Sequence, residues 1–370
     1  MQSFSDRLGY KQSVERIAVL SYSRRVGMKR NNSGINAGRG ERALLVEIRK
    51  RAARTYGGGL RLGIGDDCAL LAPRLGEEVA VTTDLSIAGR HFRLDWHPPE
   101  AVGHRTLARG LSDLAAMGAR PVAAFLSLGL PRELILTSSR RRSWVQRFLD
   151  GLLALAETHH TPLAGGDLAE SPIAVADIVL IGAVPQGRAL LRSGAHAGDL
   201  LYVTGVLGGA AAGLARLAEL AQAQPTSPNP PRIPKHLAAM LAPHLYPQPR
   251  IRQGIWLQRR GMASAALDLS DGLSTDLAHL CEESGVAAEV DAALLPIHPA
   301  AKLVQALHGG EDYELLFTTH VSARLPRSIA GVPVTRIGRI AKPRPGQPAI
   351  TLITPQGPQP LEQHGWEHFC

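Results

Sequence analysis

Three cysteines in 370 residues, Cys68, Cys281 and Cys370, stand far apart and form no C-x-x-C pair. Neither a disulfide framework nor a zinc knuckle can be built from them. Such sparse thiols suit a reducing cytoplasm. Aromatic residues make up only 4%, so aliphatic side chains and alanine must fill the core that a 45% apolar composition allows. No apolar run approaches the roughly 18 residues needed to cross a bilayer, which argues against integral insertion. Also absent are G-x-x-x-x-G-K-[ST], G-x-S-x-G and, among 14 histidines, any H-E-x-x-H. P-loop, serine-hydrolase and zincin chemistry lose their main support.

Charge of one sign is scarce where it would matter. The net charge of +9 hints at nucleic acid, yet residues 1–56 alone hold 13 Lys/Arg against 4 Asp/Glu. The remaining 314 residues carry 28 of each and are neutral. A basic nucleic-acid-binding body is therefore not expected. Residues 1–40 are polar, Arg-rich and aperiodic, and read as a disordered arm. A transit peptide, an RNA-binding arm, or a translation start at Met28 are its alternatives. Ile17–Leu20 is too short for a secretory h-region.

Periodic sequence begins near Glu41, where Leu44, Leu45, Ile48 and Ala52 form a helical stripe ended by Gly57-Gly58-Gly59. The patterns predict strands at 77–84, 122–130, 162–164 and 173–184, with helices at 98–117 and 133–158. A second unit starts near Arg188. Strands are predicted at 200–204, 264–269, 286–290, 313–319, 332–340 and 348–353, with helices at 208–221 and 273–283. Five prolines in 223–234 mark an exposed loop. The alternation indicates an α/β (α+β) protein, divided as a 1–40 arm, a 41–187 domain and a 188–370 domain.

Aspartates beside glycines or at strand ends are the strongest signal. They are Asp66-Asp67 in GIGDDCALL, Asp84 in VTTDLSIAG, Asp113 in LSDLAAMGA, Asp167 in AGGD, and Asp268 and Asp271 in LDLSDGL. Taken singly, each reads equally as a helix N-cap or turn residue. So many in a neutral body point to a multi-metal site, and magnesium is the hard cation that shares carboxylates with substrate phosphates. Gly205–Gly213 (GVLGGAAAG) either cradles phosphate at a helix N-terminus or serves tight helix packing. Cys68, beside Asp67, reads as a small buried hydrophobe.

GIGDDCALL, TTD…AGRHF, LSDLAAMGA, AGGD, RSGA…GD, LDLSDGL and GGEDYELLF occur in the order seen in the thiamine-monophosphate kinase family, which this chain resembles from about Gly40 onward. The GDD, LSDLAAMGA and SDGL pieces are shared loosely with the wider aminoimidazole ribonucleotide synthetase-like superfamily. AGRHF, GGEDYEL and the closing HGWEHF resemble the thiamine-phosphate branch. The resemblance implies a two-domain fold, with an N-terminal mixed-sheet domain that dimerises and a C-terminal α/β domain. It implies ATP-dependent phosphorylation of thiamine monophosphate to thiamine diphosphate, the final step of that cofactor's synthesis, with several Mg²⁺ ions. Asp67, Thr82, Thr83, Asp84, Asp113, Asp167, Asp268 and Asp271 would bind metal. Gly166, Asp167, Arg192 and Ser270 would contact ATP. His91, Glu311 and Trp366 would line the thiamine-phosphate pocket. No covalent or general-base residue is implied.

The residues themselves leave simpler roles open: a turn histidine for His91, a helix or strand-edge acid for Glu311, a tail anchor for Trp366, and a surface salt bridge for Arg192. The 1–40 arm has no counterpart in the family pattern, Arg90 replaces a smaller residue before the histidine, and the Pro-rich loop is long. Competing readings are another ATP-using superfamily enzyme such as aminoimidazole ribonucleotide synthetase, or a non-catalytic protein that binds thiamine phosphates or RNA. The first lacks support from AGRHF and GGEDYELLF, and the second from the complete acidic set.

Overall fold

Period-two sequence forms two sheets, and one long apolar helix lies against the first. The computed structural model describes residues 41–53, 58–136, 142–223 and 229–366. The chain divides into two units, Met1–Ala43 and Leu44–Cys370. The arm expected at residues 1–40 lies outside the described residues.

Helix α1 spans Glu41–Ala52, and Leu44, Ile48 and Ala52 of its predicted stripe are buried while Leu45 is exposed. A two-stranded ribbon follows, β1 (Leu60–Leu62) with β2 (Leu70–Leu71). Strand β3 (Glu77–Ile87), α2 (Pro99–Ala116), β4 (Arg120–Leu130), α3 (Arg132–Ile135), α4 (Trp144–Thr158), β5 (Leu163–Glu170) and β6 (Val175–Pro185) complete the first half. Its sheet has the order β3-β6-β4-β5, antiparallel except for the β4–β5 pair. Alternation along β6 buries Ala176, Ile178 and Leu180 in one cluster with Leu107, Leu111 and Leu114 of α2.

The second half contains β7 (Leu200–Thr204), α5 (Gly209–Gln222), α6 (Ala238–Leu245), α7 (Ile251–Arg260), β8 (Ala265–Asp268), α8 (Leu273–Ser284), β9 (Ala287–Asp291) and α9 (Leu303–His308). Strands β10 (Leu315–Thr319), β11 (Ser328–Ile329), β12 (Val332–Ala341), β13 (Ile350–Thr354) and β14 (Gly357–Pro360) follow. Their sheet runs β14-β13-β9-β12-β7-β10-β8, with β11 paired to β12. No helix among the described residues is long and apolar enough to cross a membrane.

Two sequence expectations need correction. The single helix at 133–158 is two helices, because Leu136 is extended and Ser143 starts α4 as an N-cap. Its hydroxyl accepts the Gln146 N–H while the Gln146 side chain reaches back, a capping box. The short strand at 162–164 instead runs to Glu170, so Gly165-Gly166-Asp167 is strand and not loop. Parallel pairing with β4 sets Gly166 against Leu126 and Asp167 against Ser127. Gly166 has φ +146°, and a Cβ there would lie 1.8 Å from the Leu126 carbonyl oxygen. The sequence patterns do not predict α6, which contains Pro243, α7, which is rich in arginine, or α9, which is only six residues long. Of the Pro-rich loop, residues 224–228 lie outside the described residues.

Helices α2 and α4 pack backbone to backbone. A Cβ on Gly103 would approach the Phe148 carbonyl oxygen to 1.9 Å, and one on Gly151 the Glu100 carbonyl oxygen to 1.8 Å. Alanine is the better helix former by about 1 kcal/mol, yet the helices would have to separate. Gly151→Ala is expected to destabilise by about 1–3 kcal/mol net, read as a lower urea midpoint. An unchanged midpoint would disprove this close approach.

Candidate active site

Helix α2, though mostly buried, carries two arginines and an aspartate along one line. Arg105, Arg109 and Asp113 are spaced i, i+4, i+8 and share a face. Strand β3 alternates, so Thr82 and Asp84 face α2 while Thr83 faces the other way. The Thr82 hydroxyl donates to Asp113, and the Thr83 hydroxyl donates to Asp177 Oδ1 at 2.9 Å. From the second sheet, Asp268 ends β8 and accepts the Ser112 hydroxyl at 2.6 Å.

The loop after β8 is fixed by its own chain. Asp276, in the first turn of α8, accepts the N–H groups of Asp271 and Gly272, both at 3.0 Å. The segment before β10 lies alongside. Glu311 N–H donates to the Ser270 carbonyl at 2.8 Å and Tyr313 N–H to the Leu269 carbonyl at 2.9 Å. Glu311 has φ +69°, uncommon without glycine. The tail returns here too, with Trp366 N–H donating to the Asp271 carbonyl at 3.0 Å.

These elements enclose a cavity of about 510 Å³ that brings together Asp84, His91, Asp113, Asp268, Ser270, Asp271, Glu311 and Trp366. A second cavity of about 570 Å³ is lined by Thr82 and Arg192 and shares Asp113 and Asp268 with the first. Those two carboxylates are a common wall. Asp67, Gly166 and Asp167 line a third cavity of about 470 Å³ with Asp66 and Cys68. Thr83 lines none of the three. The predicted residues thus fall into two adjoining groups and one separate group. Cys68 is exposed, not buried as expected, while Cys281 is buried and its thiol is pushed up to about 12 by burial.

The wall is short of positive charge. Burial pushes Asp268 up to about 7, helped by repulsion from Asp113 and Asp84. Asp84 is pushed up to about 6 by burial, with Arg109 opposing and Asp113 adding to the shift. Asp113 is raised by burial against the Thr82 hydrogen bond and the Arg192 charge. Among the described residues no group of three His, Cys, Asp or Glu side chains closes around one ion. The set nonetheless fits magnesium, which takes one or two carboxylates and fills its other positions with water and phosphate oxygens.

The simpler roles are also decided in part. Glu311 pairs with Arg105 at 2.5 Å, and Arg105 is buried and donates to the His244 carbonyl at 2.6 Å. His91 Nδ1 accepts the Ile87 N–H at 3.1 Å, which leaves the ring's other nitrogen to carry the proton. Trp366 is 52% exposed, so its ring is not a core anchor. Arg192 has no salt bridge among the described residues. Gly208 and Ala210 N–H donate to Asp312 at 2.6 and 3.0 Å. The helix N-terminus in GVLGGAAAG is therefore closed by a protein carboxylate, and a Cβ on Gly209 would lie 3.1 Å from the Pro243 side chain. Packing, not phosphate, explains that motif.

Arg105, Arg109, Ser112, His244 and Asp276 were missed. Arginines at helical spacing inside an apolar helix were the available signal; nothing in the sequence marks His244.

The chain matches the family described as AIR synthase related protein, N-terminal domain, over residues 65–189, and the corresponding C-terminal domain over 196–325. The thiamine-monophosphate kinase of Escherichia coli (strain K12) is 39% identical over 323 residues, covering 84% of this chain and 93% of the relative. This chain belongs to the thiamine-monophosphate kinase family. Among solved members, the enzyme of Stenotrophomonas maltophilia K279a superposes with a TM-score of 0.70 at 38% identity, covering 84% of this chain and 95% of that one. AaThiL complexed with AMPPCP and TMP superposes with a TM-score of 0.67 at 29% identity, covering 91% and 100%.

In this thiamine-monophosphate kinase family member Asp276 offers a test of the loop's electrostatics. Burial, then repulsion from Asp268 and Asp271, pushes it up to about 8. Its folded pKa lies above the unfolded value of about 3.9. Its contribution is therefore fully present below about pH 4 and is lost as pH rises through about 8. Asparagine keeps the acceptor oxygen and does not titrate. Asp276→Asn is expected to gain stability relative to wild type progressively between about pH 4 and pH 8 in metal-free buffer. Parallel melting curves would refute this.

Proposed function

We propose that the protein transfers the γ-phosphoryl group of ATP to thiamine monophosphate, giving thiamine diphosphate and ADP. The observation that carries the reading is the carboxylate wall of half-buried Asp113 and buried Asp268, with Asp84 beside it in the first cavity, between that cavity, lined by His91, Glu311 and Trp366, and another lined by Arg192. Relatives named for this reaction, and the AaThiL complex with AMPPCP and TMP, support it.

The acceptor is a phosphate monoester whose second pKa is about 6, so it is mostly deprotonated near neutral pH and needs no strong general base. What remains is to bring two polyanions together in line, a task of positioning and charge neutralisation. Asp84, Asp113, Asp268 and Asp271 would hold Mg²⁺, with Thr82 beside them. Asp67 and Asp167 would serve further ions in the separate cavity, while Thr83, assigned to metal by the family motif, faces Asp177 outside all three cavities. Bound there, the metal supplies charge neutralisation to the phosphate oxygens. Arg192 presents a planar fork suited to ATP phosphate, with Gly166, Asp167 and Ser270 as its other contacts. His91 donates to the acceptor phosphate. Glu311 meets the aminopyrimidine or the cationic thiazolium, and the half-exposed Trp366 ring stacks on the substrate. Transfer is direct, with no phosphoenzyme.

The domain division at 187/188 follows from the same reading, since one sheet lies within 77–185 and the other within 200–360. Among the described residues both cysteines, Cys68 and Cys281, are free thiols, one of them exposed, which suits the cytoplasm. The outer face of the first sheet supports a homodimer. Val79, Val81 and Leu85 are exposed on β3, beside half-buried Ile181 and buried Ala123, which cluster with Leu60 and Leu71 of the β1–β2 ribbon. Such a face is normally covered. Val81→Glu should shift the protein to monomer in sedimentation; an unchanged mass would locate the interface elsewhere.

The decisive assay supplies ATP, Mg²⁺ and thiamine monophosphate to wild type and to Asp84→Asn. Equal amounts of ADP and thiamine diphosphate are expected, with a loss of about 100-fold or more in the variant. A folded, ATP-binding wild type that makes no diphosphate would overturn the substrate.

A further inference from the structure

We propose that Arg109 is a catalytic residue that grips the acceptor phosphate, a role that rests on the function proposed above. Its place on α2 carries the argument. Four residues of helix rise about 6 Å, so Arg109 stands one turn from Arg105 and one turn from Asp113. Arg105 fixes Glu311, at the end of the cavity that takes the organic part of the substrate. Asp113 belongs to the carboxylate wall. A monophosphate tethered to the organic part must lie between those two ends, beside Arg109, which lines the same cavity.

The guanidinium there is under-used. Arginine offers five N–H donors in a rigid fork. Among the described residues Arg109 makes one ion pair, with Asp84 Oδ1 at 3.3 Å, longer than the 2.7–2.9 Å or so of a well-formed charge-assisted bond. Its neighbours differ. Arg105 is engaged by Glu311, the His91 and His244 carbonyls and the His244 ring. Arg93 holds Asp95 through two bonds of 3.0 and 2.7 Å and lies 4.5 Å over Trp96. Arg109 is only 18% exposed. Removing a guanidinium from water with a single loose partner is costly unless a further anion completes its hydrogen bonds. A dianionic phosphate matches the fork in shape and charge. Arg109 thereby counters the repulsion between the acceptor and the Asp84–Asp113 carboxylates.

The test compares two ligands by calorimetry, thiamine monophosphate and thiamine, on the full-length protein. The ratio of their affinities isolates the phosphate. In wild type the monophosphate is expected to bind about 10- to 100-fold more tightly, the range of a charge-assisted bidentate contact. In Arg109→Gln that ratio should fall about 10-fold, with the His91 contact retained, while thiamine affinity stays unchanged, which also reports an intact pocket. Arg109→Lys should recover part of the ratio. In turnover, kcat/KM for thiamine monophosphate should fall with KM for ATP unaltered. A glutamine variant that keeps the wild-type ratio, or that loses thiamine as well, overturns the proposal and leaves the kinase reading intact. A wild type that binds neither ligand overturns the kinase reading and this role with it.

Discussion

The hydrogen bond from Ser112 to Asp268, 2.6 Å long and fully buried, ties the helix of the first sheet to the end of a strand in the second. Much else hangs on it. Asp268 is kept where Asp113 and Asp84 crowd it, and Asp113 in turn takes the Thr82 hydroxyl from β3. The Arg105–Glu311 pair repeats the link one cavity-length away. Between these two ties α2 is buried, so its polar side chains cannot turn to water. Their geometry is imposed by packing, which includes backbone contact at Gly103 and Gly151.

The segment GGEDYELLF shows how three acids of one motif divide their work. Glu311 turns into the cavity and meets Arg105. Asp312 caps α5 through the N–H groups of Gly208 and Ala210. Glu314 is buried, gripped by Arg250 through two bonds of 2.6 and 2.5 Å and by the Thr204 hydroxyl at 2.6 Å. Only the first faces the site. The other two hold the strand and helix that aim it.

Much of this was legible beforehand. Acids beside glycine mark strand ends, and Asp84, Asp113, Asp268 and Asp271 do converge. The period-two rule could also have separated Thr82 from Thr83. Three things resisted. Gly165-Gly166-Asp167 looks like a turn because glycine usually breaks strands, yet a parallel neighbour with its backbone pressed against Gly166 demands the missing side chain. Helices α6 and α7 hide behind a proline and arginines whose partners are distant in sequence, and behind Gly254 of α7, where a Cβ would meet the Ala115 carbonyl oxygen at 1.9 Å and only glycine fits. The roles of Asp312 and Glu314 are set by partners 64 to 110 residues away, which the motif alone does not mark.

The exposure of Cys68 has a practical side. Of the two described thiols, Cys281 is buried and held protonated, while Cys68 opens onto the cavity of Asp67 and Asp167. With Cys370 replaced, a maleimide dye would attach at one known place. That dye would sit at the rim of the most remote acidic cavity and report when that cavity fills, independently of turnover at the other two.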